Sequence, residues 1–110
     1  MTSSNKLLNI STKGGAFYEV NFTRLKLLLM DCVSLIKNEK HLDETFDYQK
    51  ARRELCRSYL VRESISNEAL IHLIAYTYIQ ENKGEEFNQI MKEVQLYHRF
   101  NTQTTKKILL

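Results

Sequence analysis

Apolar and polar residues alternate along this chain with helical spacing, and the pattern predicts helices rather than strands. Asn21 is placed to cap a helix running to about Lys37. Phe22, Leu25, Leu28, Leu29, Cys32, Val33 and Ile36 give that helix a wide apolar stripe, with Leu27 and Met30 beside it. A second helix is expected over residues 46–63. Tyr48, Ala51, Leu55 and Tyr59 line one of its faces, with Cys56 and Leu60 next to them.

From Ala69 to Ile79 nearly every residue is apolar or aromatic, so this segment must be buried on all sides. Its β-branched residues and tyrosines leave a strand open. Ser66 as N-cap, with Ile65 and Leu70 at staple spacing, favours a helix. Asn82-Lys83-Gly84 is expected to stop it, with Gly84 in the left-handed position after the last turn. Glu85 and Glu86 then suit the positive end of a further helix whose apolar face is Phe87, Ile90, Met91 and Val94. His98 to Asn101 can turn, and Thr102 can cap a last helix, Gln103 to Leu110. Two helices joined by a turn of three or four residues is the helix-turn-helix layout. The expected fold is therefore all-α, with four to five helices, the last two a helix-turn-helix.

Composition agrees with one ordinary globular domain. The chain has 110 residues, 43% hydrophobic and 26% charged, with no proline and three glycines. Residues 1–15, polar and broken by Gly14-Gly15, read as a flexible arm, and residues 16–110 as a single helical domain. There is no leader-like or membrane-spanning run, which points to a soluble cytoplasmic protein with no membrane partner. The excess apolar surface of residues 22–36 suits a homodimer; the same residues also read as a core helix of a monomer.

The residues of enzymes are missing. His41, His72 and His98 lie in separate segments, no phosphate loop follows Gly14-Gly15, and no nucleophile sits in a recognised context. His72 reads as a buried histidine with a satisfied partner. Glu39, His41, Asp43, Glu44 and Asp47 match no calcium or zinc spacing and read as a solvated loop whose acids favour the next helix start. No enzyme activity, cofactor or metal is expected. Cys32 and Cys56 lack C-x-x-C spacing and read as buried thiols. Cys56, among Arg52, Arg53 and Arg57, is the one suited to redox sensing.

What the chain does offer is positive charge. The formal net charge is +3. Lys50, Arg52, Arg53, Arg57 and Arg62 outnumber the acids around them, and Lys50, Arg53 and Arg57 are candidate phosphate contacts. The segment Val94 to Leu110 holds no acid but carries Arg99, Lys106 and Lys107.

Residues 76–110 resemble the DNA-binding part of MarR-type winged-helix regulators, in particular the small staphylococcal accessory-regulator branch. The resemblance lies in Tyr76-Thr77-Tyr78-Ile79-Gln80-Glu81-Asn82-Lys83, in Ile90, Met91, Val94 and Leu96, and in the Lys-Lys-Ile-Leu run at 106–109. It does not extend to the β-hairpin wing and dimerisation helix of such regulators. It implies binding to double-stranded DNA in transcriptional control. Arg99, Lys106 and Lys107 would then sit on phosphates, and Asn101, Thr102 and Gln103 would reach base edges. The competing expectation is a helical protein-interaction module, an adaptor or inhibitor, without DNA binding. Exposure of the last helix separates the two: a DNA binder shows Gln103 and Lys106 to solvent, a module shows an apolar groove.

Overall fold

A computed structural model of the chain describes residues 20–109. The expected arm and Leu110 lie outside that range. Five helices and no strand occur among the described residues, so the fold is all-α. They are α1 (Phe22–Ile36), α2 (Tyr48–Ser58), α3 (Asn67–Gln80), α4 (Gly84–Glu93) and α5 (Thr102–Leu109). The described residues divide into two compact units, one ending at Asn67 and the other starting at Glu68.

In the first unit α1 starts where its cap predicts: the Asn21 side chain accepts from the Arg24 N–H at 3.1 Å. Leu25, Leu28, Leu29, Cys32 and Val33 are buried on it. Leu27 and Met30, the residues beside the expected stripe, are half-buried. Asp47 caps α2 in the same manner, accepting from the Lys50 N–H at 3.0 Å. Tyr48, Ala51, Cys56 and Tyr59 form its buried face. Arg24 of α1 pairs with Glu54 of α2 and lies 5.9 Å from the centre of the Phe46 ring. The Tyr48 hydroxyl donates to Asn67 Oδ1 at 2.8 Å, and Arg52 turns inward to donate to the Ile65 carbonyl. Between α1 and α2 the buried Asp31 organises the loop: its Oδ1 accepts from the Leu42 N–H at 3.2 Å and its Oδ2 lies 3.3 Å from His41 Nδ1.

In the second unit α3 is buried on every side, as its composition requires. Leu70, Leu73, Ile74 and Tyr78 are all in the core, together with Ile71, Ala75 and Tyr76. Its one buried hydroxyl from a threonine, on Thr77, donates back to the Leu73 carbonyl at 3.1 Å. Phe87, Ile90 and Met91 of α4 are buried, and the Phe87 ring lies 5.8 Å from that of Tyr78.

The helix ends differ from expectation, for one physical reason. Positive φ falls on Asn38, Leu60, Asn82 and Gln95, none of them glycine. Each is the residue after a helix C-cap, and each closes with the same pair of backbone bonds. After α3, the Asn82 N–H donates to the Ile79 carbonyl and the Lys83 N–H to the Tyr78 carbonyl; after α2, the Leu60 N–H donates to the Arg57 carbonyl and the Val61 N–H to that of Cys56. Asn82, not Gly84, therefore stops α3, and Gly84 opens α4. Leu60 ends α2 well before residue 63 and is left 66% exposed rather than beside the apolar face. Gln95 ends α4 at Glu93, so the link to α5 runs over residues 94–101 and is longer than a three- or four-residue turn. Within it the Arg99 and Phe100 amides donate to the Leu96 carbonyl, at 3.0 and 2.9 Å, and Phe100 is buried.

A left-handed conformation costs a residue with a Cβ roughly 1–2 kcal/mol, part of which glycine returns as lost chain entropy. Leu60 buries little, so Leu60→Gly should raise stability by about 1 kcal/mol. Thermal melting checks this; a lower midpoint would show that the Leu60 side chain matters more than its backbone.

Candidate nucleic-acid interface

Helix α5 is the element on which the candidate residues converge, and polar contacts hold it in place. Asn101 is its cap, one residue earlier than expected: Asn101 Oδ1 accepts from the Thr104 N–H at 3.0 Å, and Thr104 Oγ1 accepts from the Asn101 N–H at 3.2 Å. This is the reciprocal capping box, with threonine in the third position. The other end of the amide, Asn101 Nδ2, donates to the Tyr97 carbonyl at 2.9 Å, tying the connection to the helix it precedes.

Thr102, the first residue of α5, is locked to α4. Its N–H donates to Asn88 Oδ1 at 3.0 Å, and its Oγ1 accepts from Asn88 Nδ2 at 3.2 Å. Asn88 is itself buried. Thr105, one turn further on, is fully buried, with its hydroxyl 2.8 Å from His72 Nδ1 of α3. The His72 ring also lies 5.1 Å from that of Phe100. Burial lowers the His72 pKa from its ordinary 6.5, against a raising effect from Glu68. His72 is thus satisfied, with a partner in α5, but it is half-buried rather than buried as expected.

These contacts divide the expected site residues into two groups. Asn101 and Thr102 spend their hydrogen-bonding groups inside the chain, on the cap and on Asn88. Gln103, Lys106 and Lys107 are exposed. Their spacing of three and four residues puts them on one face of α5, away from buried Thr105. Arg99 is exposed too, but it pairs with Glu68 and lies 5.2 Å from the centre of the Phe100 ring. No ion pair involves Lys106 or Lys107 among the described residues. Next to them Ile108 and Leu109 are exposed.

Gly84, Asn88 and Thr105 were not signalled as site residues. Asn88 had a legible sign: it is a polar residue beside Phe87 and Met91 on the buried face of α4. Gly84 has no positive φ to explain it; a Cβ there would lie 3.1 Å from Thr102 Cγ2, so it permits close approach of α5.

Lys50, Arg53 and Arg57 are exposed on α2 of the first unit. Cys32 and Cys56 are free and buried. Burial pushes the Cys32 thiol up to about 12 and also raises that of Cys56, the opposite of what a redox sensor needs. In the loop before α2, Asp43 accepts from the Thr45 N–H and hydroxyl, at 2.9 and 2.6 Å, which keeps its carboxyl below the usual range. No three His, Cys, Asp or Glu side chains among the described residues are placed to hold a metal ion. No helix among them is long and apolar enough to cross a membrane. Comparison of the chain with family models, with curated proteins and with solved structures finds no match.

Two predictions concern this junction. Thr102 is held on both its N–H and hydroxyl, so it cannot yield to a new methyl group. Gly84→Ala should destabilise by about 1 kcal/mol or more. Thr102→Ser deletes the methyl group concerned and keeps the hydroxyl, so adding it should recover most of the deficit. A Gly84→Ala protein that melts at or above the parent would show that α5 is not clamped here.

The second is a pH effect. The unfolded chain, with His72 near 6.5, takes up its proton at higher pH than the folded chain does. The contribution of neutral His72 is therefore complete above about pH 7 and is lost as pH falls below 6.5 towards the lowered folded value. Melting of the parent should drop between pH 7.5 and 5.5 by more than that of His72→Gln. Equal drops would place the acid sensitivity elsewhere.

Proposed function

We propose that this protein binds double-stranded DNA through α5 and acts in transcriptional control. The observation that carries the reading is the single exposed face of Gln103, Lys106 and Lys107. It stands on a short helix whose opposite side is fastened to α4 by Asn88 and to α3 by His72. In helix-turn-helix proteins the second helix enters the major groove with its N-terminal residues towards the bases, and the reading carries that mode over to α5 although its link to α4, residues 94–101, is longer than such a turn. Gln103, exposed in the first turn of α5, suits an adenine edge, and the two lysines further along suit phosphates. Asn101, Thr102 and Asn88 act as positioning residues that set how α5 is presented. Arg99 contributes less charge than its sequence position suggests, because Glu68 accompanies it.

Regulators of this kind bind as symmetric dimers, and the proposal includes a homodimer. On α1 the half-buried apolar residues Phe22, Leu27, Met30, Leu35 and Ile36 are what could offer surface for it, and in the same unit Leu42 and Leu60 are exposed. The interaction-module reading draws on exposed Ile108 and Leu109, which are too few to form a groove by themselves.

Binding to duplex DNA over a series of salt concentrations tests the reading. Lys106→Ala and Lys107→Ala should each weaken binding to every sequence. Each should also reduce the slope of log K against log salt by about 0.9 for every phosphate the protein no longer neutralises. Gln103→Ala should leave non-specific binding unchanged and forfeit roughly 1–3 kcal/mol of discrimination at one base pair. If no duplex is retained at low salt, or all three variants bind as the parent does, the lysines only complement the negative end of the α5 dipole.

A further inference from the structure

Helix α2 carries a second set of cations, and the acids beside them have other partners. Its charged residues are Lys50, Arg52, Arg53, Glu54 and Arg57. Glu54 is taken by Arg24 of α1, and Arg52 is turned inward to the Ile65 carbonyl. Asp47, just before the helix, is occupied as its cap. What is left facing solvent is Lys50, Arg53 and Arg57, at intervals of three and four residues and hence on one face. None of the three is in an ion pair among the described residues. The opposite face, Tyr48, Ala51, Cys56 and Tyr59, is buried, which fixes the rotation of α2 and the direction in which the cations point.

We propose that this face is a second contact on duplex DNA, one that takes the phosphate backbone and reads no sequence. It rests on the reading of α5 as the duplex-binding helix. Charge and spacing argue for the backbone as occupant. Lys50 and Arg57 are separated along the helix by about 10 Å, at roughly 1.5 Å per residue. Phosphates of one strand advance about 3.4 Å each along the duplex axis, so the row matches the rise of about three. Two of the three residues are arginines, whose fork takes phosphate oxygens in pairs. Gln49 is exposed one turn before Arg53, but three cations stand in the row against that one amide, so the contribution of the face is affinity and orientation. An anionic lipid surface shares the charge. It would also need apolar residues interleaved with the cations, and between residues 50 and 57 Ala51, Leu55 and Cys56 are buried or half-buried; the exposed Leu60 lies beyond the row.

The experiment is fluorescence anisotropy of the full chain with a labelled duplex at several salt concentrations. The proteins compared are the parent, Arg53→Gln/Arg57→Gln, Arg53→Lys/Arg57→Lys and Lys106→Ala/Lys107→Ala. The glutamine pair should lower the salt slope by about 1.8 and weaken binding to all sequences alike, with the preference set by Gln103 unchanged. The lysine pair, which keeps the charge, should keep the parent's slope. Circular dichroism should be the same for all, since the replaced side chains are exposed. A parent slope in the glutamine pair, with a lowered slope in the Lys106→Ala/Lys107→Ala protein, overturns the α2 contact and leaves the α5 reading standing. A parent that retains no duplex at low salt overturns both. Failure of the glutamine pair to bind phosphatidylserine vesicles that the parent binds, with an unchanged DNA slope, overturns it in favour of a lipid surface.

Discussion

A helix without a face for water constrains everything packed around it, and α3 is such a helix. From Leu70 to Tyr78 only His72 is not buried. Each polar group along it must be satisfied within the protein, because a buried unpaired donor or acceptor costs on the order of 1–3 kcal/mol. The Thr77 hydroxyl is answered by its own helix, at the Leu73 carbonyl. His72 has no such local solution and takes Thr105 of α5. Burial of α3 thus dictates what the facing side of α5 must supply, namely a small hydroxyl at position 105, with an aromatic ring, Phe100, beside the imidazole.

Helix α5 has little apolar surface of its own, and its placement depends on hydrogen bonds more than on burial. Between Thr102 and Leu109 the residues facing inward are threonines. Asn88 meets the first of them with both ends of its amide, His72 meets Thr105, and Asn101 closes the N-terminus on Thr104. Hydrogen bonds are directional where apolar contact is not, so this fastening fixes rotation as well as position. It also explains Gly84: side chains of Asn88 and Thr102 can meet at bonding distance only if α4 begins close to α5, and at Gly84 a Cβ would intrude.

The elements themselves were legible because burial imposes periodicity. The stripe on α1 appears with its ends, Phe22 and Ile36, half-buried; the face of Tyr48, Ala51, Leu55 and Tyr59 on α2 appears with Leu55 half-buried and Cys56 buried beside it; and the apolar run of α3 is buried from Leu70 to Tyr78 but for His72. The ends were less legible. Stop signals in sequence rest on glycine, whereas here Asn38, Leu60, Asn82 and Gln95 adopt the left-handed conformation. Asparagine tolerates it through its short polar side chain; leucine and glutamine carry no such mark, so α2 and α4 end earlier than periodicity suggests. The candidate site was half legible. Exposure of Gln103, Lys106 and Lys107 follows from their spacing around an inward position 105. The Asn101 cap is local, to Thr104 and Tyr97, but that Thr102 is consumed by Asn88 depends on a contact fourteen residues away, which no local pattern records.

The division of labour on α5 bears on what kind of DNA recognition the proposed function would involve. With the amide of Asn101 and the hydroxyl of Thr102 committed inside the chain, Gln103 is left as the polar side chain in the first turn able to address a base. One such contact supplies roughly 1–3 kcal/mol of discrimination. Typical specific binding exceeds non-specific binding by about 4–10 kcal/mol, so a single glutamine falls short of it. The remainder would have to come from a second α5 brought by a symmetric partner, or from DNA shape sensed through phosphate contacts. Either source places weight on residues that touch no base. Under the proposed function, Lys106, Lys107 and the α2 cations would hold the duplex, and the Asn88–Thr102 lock would decide the angle at which Gln103 meets it. On this view a conservative change at Asn88 would disturb sequence choice more than its distance from the exposed face suggests, because it frees the rotation of the helix that carries the one reader.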